Sequence, residues 1–154
     1  MKTRTTLQLI IGVLFLCCFA SCRQQNKPSG QVVHILEIDA GFSTYIEEYT
    51  SGIIPVNSSF RVKLTTAVAN TIENKKAGID LSKLFETEPS VKGECTYSDG
   101  IFAFKPTENL DEGTEYKITF RLKNVIDLPT KYEVLTFNAF TLKRNFTVSV
   151  DGLK

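Results

Sequence analysis

The sequence predicts an all-β domain, and three observations carry that prediction. Apolar residues alternate with polar ones at the period of a β-strand, most clearly in Glu115 to Leu122, where Tyr116, Ile118 and Phe120 share one phase. Clusters of Gly, Pro, Asn and Asp separate such stretches at the short intervals of an antiparallel sandwich. Only one short helical turn is predicted, so helices do not define the fold.

The first predicted strands follow a polar stretch. Val32 to Ile38 is apolar and rich in β-branched residues, and Asp39-Ala40-Gly41 closes it as a turn. Tyr45 to Ile54 is a second predicted strand, and its interruption at Ser51-Gly52 indicates a bulge or bend. Phe60 to Leu64 alternates cleanly and is predicted to pair with the segment before it.

The middle of the chain predicts a loop followed by a hairpin. Ala69 to Asp80 is polar and is predicted to be a loop, and Asp80 is suited to cap a helical turn at Leu81 to Leu84, since its carboxylate accepts from free backbone N–H groups. Cys95 to Tyr97 and Phe102 to Phe104 are then predicted to pair around the tight-turn residues that separate them, Ser98-Asp99-Gly100.

The last third of the chain predicts three more strands. Pro106 ends the hairpin because it has no N–H for the ladder, and Asp111-Glu112-Gly113 turns the chain into the next strand. Val134 to Leu142 is a long apolar segment whose inward phase the sequence leaves open. Residues 145–154 contain a terminal strand, Phe146 to Val150, which also suits the start of a following domain.

These elements give about eight short strands, and the predicted fold is an immunoglobulin-like antiparallel β-sandwich over residues 32–144. A partly open β-barrel is the structural alternative. The predicted core consists of the apolar phases of the three clearest strands. Its members are Phe60, Val62, Leu64, Phe102, Phe104, Tyr116, Ile118 and Phe120.

The N-terminus predicts export and lipid attachment. Lys2 and Arg4 precede an apolar run from Leu7 to Phe19, which is the pattern of a signal peptide and is too short for a stable membrane span of about 20 apolar residues. Phe19-Ala20-Ser21-Cys22 resembles a bacterial lipobox, so Cys22 is predicted to carry lipid. A plain secretory signal with an incidental cysteine is the alternative.

In this interpretation residues 1–21 are removed, and residues 22–31 form the lipidated cysteine and a flexible polar tether. Several acyl chains on one cysteine hold a protein firmly to a membrane, which makes the membrane a predicted partner. No acidic cluster follows Cys22, which favours an anchor in the outer membrane of a Gram-negative cell that faces the periplasm.

The sequence contains no motif that predicts catalysis, a cofactor or a metal site. The 18 basic and 17 acidic residues nearly cancel, so no excess charge favours nucleic acid. His34 is the single histidine, and Cys95 is the one cysteine left after signal removal and lipidation. Neither a catalytic triad nor a zinc site can be assembled from them, and no Gly-rich phosphate loop is present.

The remaining candidate groups are predicted to be packed or solvated side chains without a chemical role. Cys95 shares the strand phase of Tyr97 and is predicted to be a small buried apolar side chain rather than a reactive thiol. The acidic pairs Glu47-Glu48 and Asp111-Glu112 are predicted to be solvated. Neighbouring strand residues point to opposite faces, and a turn exposes its side chains, so neither pair is predicted to bind calcium or act as acid and base.

Tyr45 to Val68 resembles the start of lipid-anchored alpha-2-macroglobulin-like proteins of Bacteroidetes-type bacteria. Further stretches in the same order resemble that family and bacterial Ig-like modules generally: Leu84-Phe85, Pro89 to Gly93, Phe102 to Pro106, Leu110, Gly113-Thr114 and Tyr116 to Phe120. The closing Asn145 to Leu153 is similar to the link into the family's second domain. Each of these stretches is a packing motif of a β-sandwich.

The resemblance implies that this chain is part of a protein from an endopeptidase inhibitor family. Members of that family trap proteases with a bait segment and a Cys-to-Gln thioester. Neither device is present in this sequence. Gly93-Glu94-Cys95-Thr96 in particular is not the thioester site, because it has no Gln at the required spacing. The implied role is therefore a membrane-proximal scaffold domain, a truncated or split N-terminal piece whose partners are further macroglobulin domains or proteases through a longer parent. The alternative is a stand-alone Ig-like envelope lipoprotein that binds a protein or a glycan.

Overall fold

A computed structural model of the protein describes residues 33–73 and 76–143, apart from the side chain of Lys76. These residues belong to one compact unit, Val33–Lys154. The predicted signal peptide, Cys22 with its tether and the predicted terminal strand at Phe146 to Val150 lie outside the described residues.

Eight strands form two four-stranded sheets within this part of the chain. The first sheet has the order β1-β3-β6-β5 and the second β2-β8-β7-β4. The prediction of an all-β sandwich is confirmed. The strands are β1 (Ile46–Tyr49), β2 (Gly52–Ile54), β3 (Phe60–Leu64), β4 (Phe85–Glu88), β5 (Gly93–Ser98), β6 (Ile101–Pro106), β7 (Glu115–Phe120) and β8 (Leu135–Thr141).

The predicted strand at Tyr45 to Ile54 divides between the two sheets. β1 pairs antiparallel with β3, as predicted, and β2 pairs parallel with β8, with Gly52 opposite Ala139. Gly52 has a φ of 74°, a conformation that glycine adopts without a Cβ clash, and the chain changes sheets just before it. The prediction of a purely antiparallel sandwich was therefore wrong for one pair of strands. The chain enters the second sheet with β2 running in the same direction as β8, so these two strands are parallel.

The predicted hairpin is confirmed. β5 and β6 pair antiparallel with Ser98 opposite Ile101, so the turn consists of Asp99 and Gly100. Their φ angles are 52° and 77°, and a two-residue turn with two positive φ angles matches the twist of paired strands. Pro106 is the last residue of β6, as its missing N–H predicts.

Two local predictions were wrong. Residues 33–38, called the N-terminal strap below, are extended but form no strand, because their backbone bonds to the side chain of Asn138 rather than to a neighbouring backbone. The predicted loop after Ala69 begins as an α-helix, α1 (Thr66–Glu73), whose Ile72 is fully buried. Tertiary burial of its apolar side stabilises this helix, which at eight residues is too short to be stable in isolation. The Asp80 cap is confirmed, since its Oδ1 accepts from the Ser82 N–H at 3.2 Å.

The core lies between the two sheets. Aromatic rings meet across it, with Phe60 and Tyr116 centroids 5.9 Å apart and Phe102 and Phe120 centroids 5.5 Å apart. Seven of the eight predicted core residues are at most 2% exposed, and the exception, Phe104, is half-buried. The inward residues of β8, whose phase the sequence left open, are Leu135, Phe137 and Ala139.

Phe104 packs beside Phe60 on one side, but it lies at the border of the core because little covers it on the side of the edge strand β5. It stands opposite Cys95 on the edge strand β5, and its ring approaches Gly93, where an added Cβ would lie 2.6 Å from the ring. A glycine supplies no side chain to cover the ring. Strand phase thus predicted the direction of Phe104 correctly but not its depth.

Candidate functional site

Buried polar side chains are rare in the described part of the chain, and both of them lie on β8. Asn138 and Thr141 are each 1% exposed. Asn138 belongs to the outward phase of β8, between the inward residues Phe137 and Ala139, so the sandwich core does not bury it. Asn138 lies on the outer face of the second sheet. The N-terminal strap bonds to it there and contributes to its burial.

The amide of Asn138 makes three hydrogen bonds, two to the strap and one to Glu115 on the neighbouring strand β7. Its Oδ1 accepts from the Leu36 N–H at 2.9 Å, and its Nδ2 donates to the His34 carbonyl at 2.6 Å and to Glu115 Oε1 at 2.9 Å. The two strap groups flank Ile35, so the side-chain amide takes the place that the peptide of a parallel neighbouring strand would fill. No buried side-chain nitrogen or oxygen lacks a hydrogen bond among the described residues.

Thr141 ties the end of β8 to the turn before β7. Its hydroxyl donates to the Asp111 carbonyl and accepts from the Thr114 N–H at 3.0 Å. The Asp111 N–H in turn donates to the hydroxyl of Tyr116 at 2.8 Å. The backbone groups of the predicted turn are therefore bonded to the side chains of Thr141 and Tyr116. The side chains of Asp111 and Glu112 themselves are exposed.

The other sequence candidates do not converge on a site. Glu47 and Glu48 are both exposed, a register shift between Ile46 and Glu48 breaks the strand alternation there, and Glu47 forms an ion pair with Lys63 at 2.7 Å. His34 is exposed, and its carbonyl, not its ring, makes the contact with Asn138. Across residues 33–73 and 76–143, no group of three or more His, Cys, Asp or Glu side chains is placed to hold a metal ion.

Cys95 is a free thiol on the Tyr97 phase of β5, half-buried rather than buried. Burial raises the pKa of this thiol to about 11, because desolvation disfavours the thiolate. Since the thiolate is the reactive form, the environment of Cys95 suppresses its chemistry at neutral pH.

Two concave surfaces lie at opposite ends of β8. The first, the helix cavity, has a volume of about 500 Å³ and lies between α1 and residues 123–127. The second, the β2 groove, has a volume of about 540 Å³ and is lined by Ile53, Pro55, Val56 and Leu142 among others. Ile53 and Leu142 are 55% and 56% exposed, so this groove presents apolar surface beside the point where the described chain ends.

Sequence reasoning missed both concave surfaces. The helix cavity depends on α1, which was predicted to be a loop, and the β2 groove depends on the parallel pairing of β2 with β8. A signal for Asn138 was present, because a lone Asn inside the apolar run from Val134 to Leu142 predicts a buried amide with hydrogen-bond partners.

A bilayer-crossing helix, which needs about 20 mostly apolar residues, does not occur in the part of the chain that the structure describes.

A family model described as a bacterial Ig-like domain matches residues 37–147. No curated protein matches the sequence.

The solved structures with similarity to this chain include L,D-transpeptidases from Mycobacterium tuberculosis. L,D-transpeptidase 3 with a faropenem-derived adduct has 9% identity and a TM-score of 0.44, over 66% of this chain and 39% of that one. A second structure of L,D-transpeptidase 3 has 10% identity and a TM-score of 0.42, over 64% and 37%. A further L,D-transpeptidase, from strain H37Rv, has 9% identity and a TM-score of 0.43, over 64% and 40%. The match thus spans about two fifths of each of these proteins, and its low identity transfers no activity to this chain.

Proposed function

Because this chain belongs to the family of bacterial Ig-like domains, we propose that it is a membrane-proximal, non-catalytic scaffold domain, held at the cell envelope by a lipid on Cys22. The family match agrees with the predicted immunoglobulin-like sandwich. The proposed location is the periplasmic side of the outer membrane of a Gram-negative bacterium. Support for that location comes from the order of signal, small residues and cysteine, and from the absence of an acidic cluster after Cys22.

The attachment of the strap to Asn138 is the observation that carries the scaffold proposal. The strap directly follows the predicted tether, and its backbone is bonded to a central strand of the second sheet rather than to an edge. A pull on the tether therefore acts on a strand that is paired on both sides, by β2 and β7. Such a junction suits a domain whose task is to hold other parts of a protein near a membrane.

We further propose that the chain is the first piece of an alpha-2-macroglobulin-like protease-trapping lipoprotein, with bait and thioester in a longer parent. The sequence resemblance of Tyr45 to Val68 and of the stretches after it supports this. The β2 groove offers a following domain an apolar surface immediately before Lys143. Cys95 is half-buried with a raised pKa, which does not suit an activated acyl group.

Metabolic labelling tests the lipid anchor. Labelled palmitate fed to the native host should enter the wild-type protein and the Cys95→Ala control, and it should be absent from Cys22→Ala. The Cys22→Ala protein should also leave the membrane fraction. Label that persists in Cys22→Ala contradicts the anchor assignment.

A protease assay tests the non-catalytic scaffold role separately. The chain from Arg23 to Lys154, which contains the whole compact unit Val33–Lys154, is mixed with several general proteases. We expect neither a covalent adduct on a denaturing gel nor protection of a large substrate. An adduct that depends on Cys95 contradicts the scaffold role, whatever the result of the labelling.

A stand-alone envelope lipoprotein that binds a protein or a glycan is the second candidate. The helix cavity favours it, because a concave surface with an apolar floor and a polar rim is typical of binding sites. Discovery of further β-sandwich domains and a thioester in the adjoining reading frame would favour the macroglobulin parent instead.

A further inference from the structure

The helix cavity is built by three separate segments of the chain. Tyr45 follows the 3-10 turn Ala40–Thr44, Val68 and Ile72 come from α1, and Val125 and Ile126 come from the loop after β7. Ile72 and Val125 are buried, and the other three are half-buried, so they form an apolar floor that is partly open to solvent. A floor of this kind accepts an aliphatic chain without burying unpaired polar atoms.

Two of the three charged or amide side chains that line the cavity already have partners within the protein. Lys123 Nζ lies 3.4 Å from Glu133 Oε2, and Asn124 Nδ2 donates to the Lys83 carbonyl at 3.3 Å. The Asp127 carboxylate is exposed, and no hydrogen bond or ion pair joins it to another residue in the described ranges. Since Lys123 is balanced by Glu133, the unpaired charge among the described lining residues is the negative charge of Asp127.

We propose that the helix cavity binds an arginine side chain presented by a partner polypeptide. The aliphatic stem of arginine packs on apolar surface while its charged end stays at the rim. Its planar guanidinium bonds a carboxylate with two parallel N–H groups and stacks on aromatic rings, so Asp127 and Tyr45, which both line the cavity, complement it. A neutral side chain leaves Asp127 unused, and an acidic one is repelled by it.

The Tyr45 ring at the cavity packs against a second aromatic ring. Tyr132 lies against it, with ring centroids 5.5 Å apart and a tilt of 48° between the planes. Phe42 supports Tyr132 from a further side, with centroids 5.2 Å apart. The aromatic group at the cavity is thus fixed before a ligand arrives, which lowers the entropic cost of binding.

The test uses an isotope-labelled chain from Arg23 to Lys154 and two capped tripeptides, Ala-Arg-Ala and Ala-citrulline-Ala. Citrulline has nearly the shape of arginine but no charge. We expect the arginine peptide to shift the amide resonances of α1 and of residues 123–127 in a saturable manner, and the citrulline peptide to bind at least about tenfold more weakly. Asp127→Asn should remove this difference, and Asp111→Asn, an exposed carboxylate near the other end of β8, should leave it unchanged.

Three results would overturn the assignment. Equal binding of the two peptides would mean that the charge of Asp127 plays no part. Shifts confined to other surfaces would place the binding elsewhere, and an absence of shifts at millimolar peptide would mean that the cavity does not take arginine. The chain used here carries no lipid, so the outcome is independent of the anchor on Cys22.

Discussion

Asn138 Nδ2 lies 2.6 Å from the carbonyl oxygen of His34, a residue 104 positions earlier in the chain. The same amide accepts from the Leu36 N–H, so one side chain satisfies both hydrogen-bonding groups that flank Ile35. Because the amide is 1% exposed, water cannot replace these bonds while the strap is in place. The strap therefore belongs to the folded domain.

Replacing Asn138 should loosen the strap. Asn138→Ala removes three hydrogen bonds and should lower the free energy of unfolding by about 1 to 3 kcal/mol, since part of the loss is recovered when the strap becomes hydrated. Hydrogen exchange at the Leu36 amide should accelerate more than exchange in β7. Asn109→Ala, at an exposed Asn, is the control. Unchanged exchange at Leu36 would contradict the role of the amide.

Phe102 and Phe104 provide a matched test of depth in the core. Both are inward residues of β6, but Phe102 is 0% exposed and Phe104 is half-buried. Phe102→Ala should cost about 3 to 5 kcal/mol of unfolding free energy. Phe104→Ala should cost distinctly less, because solvent already covers part of its ring. Equal losses in denaturant titrations would show that Phe104 is more deeply packed than the structure has it.

Gly41 and Gly78 differ in the space around them. A Cβ on Gly41 would lie 2.0 Å from the hydroxyl oxygen of Tyr132, whereas a Cβ on Gly78 would meet nothing within 4 Å. Gly41→Ala must displace Tyr132 from its contact with Phe42 and should destabilise the domain by about 1 to 3 kcal/mol. Gly78→Ala should be neutral or slightly stabilising. Thermal melts of the two variants that coincide would disprove this packing account.

Cys95 should react slowly with thiol reagents while the domain is folded. Its pKa is raised from 9.0 to about 11, so the thiolate fraction near pH 7 to 8 falls roughly a hundredfold. In the chain from Arg23 it is the single cysteine, and its alkylation by iodoacetamide in buffer and in urea measures the difference. A native rate equal to the unfolded rate would show that the thiol is not shielded.

The same pKa shift makes stability depend on pH at the alkaline end. The unfolded chain loses the Cys95 proton near pH 9 and the folded chain only near pH 11, so this group leaves stability unchanged below pH 9 and lowers it between pH 9 and pH 11. Cys95→Ser should flatten the stability profile in that window, as followed by denaturant titration at several pH values.

Features fixed by neighbouring residues were predictable from the sequence. The β5–β6 turn was one, because Asp99 and Gly100 supply the two positive φ angles locally. The Asp80 cap was another, since donor and acceptor lie two residues apart. The strand β4 was overlooked because it has only four residues, Phe85–Glu88, and is followed at once by Pro89.

Features that depend on distant contacts were not predictable. The strap has the composition of a strand. Its backbone bonds to the side chain of Asn138, about a hundred residues later, instead of to the backbone of a neighbouring strand. α1 has only eight residues, and its Ile72 is buried because it packs into the core of the sandwich. The helix cavity needed both α1 and residues 123–127 in position, so its lining residues could not be grouped from their spacing.

The central place of β8 sets an order of events for a chain made from its N-terminus. β8 pairs with β2 and β7 and supplies the amide for the strap, yet it is the last described strand to be synthesised. Until it emerges, the second sheet has a gap between β2 and β7, and both carry unpaired backbone edges. Contacts between ends so far apart in sequence also form slowly. A nascent product that stops before Leu135 keeps this gap and remains exposed to aggregation through the unpaired edges of β2 and β7.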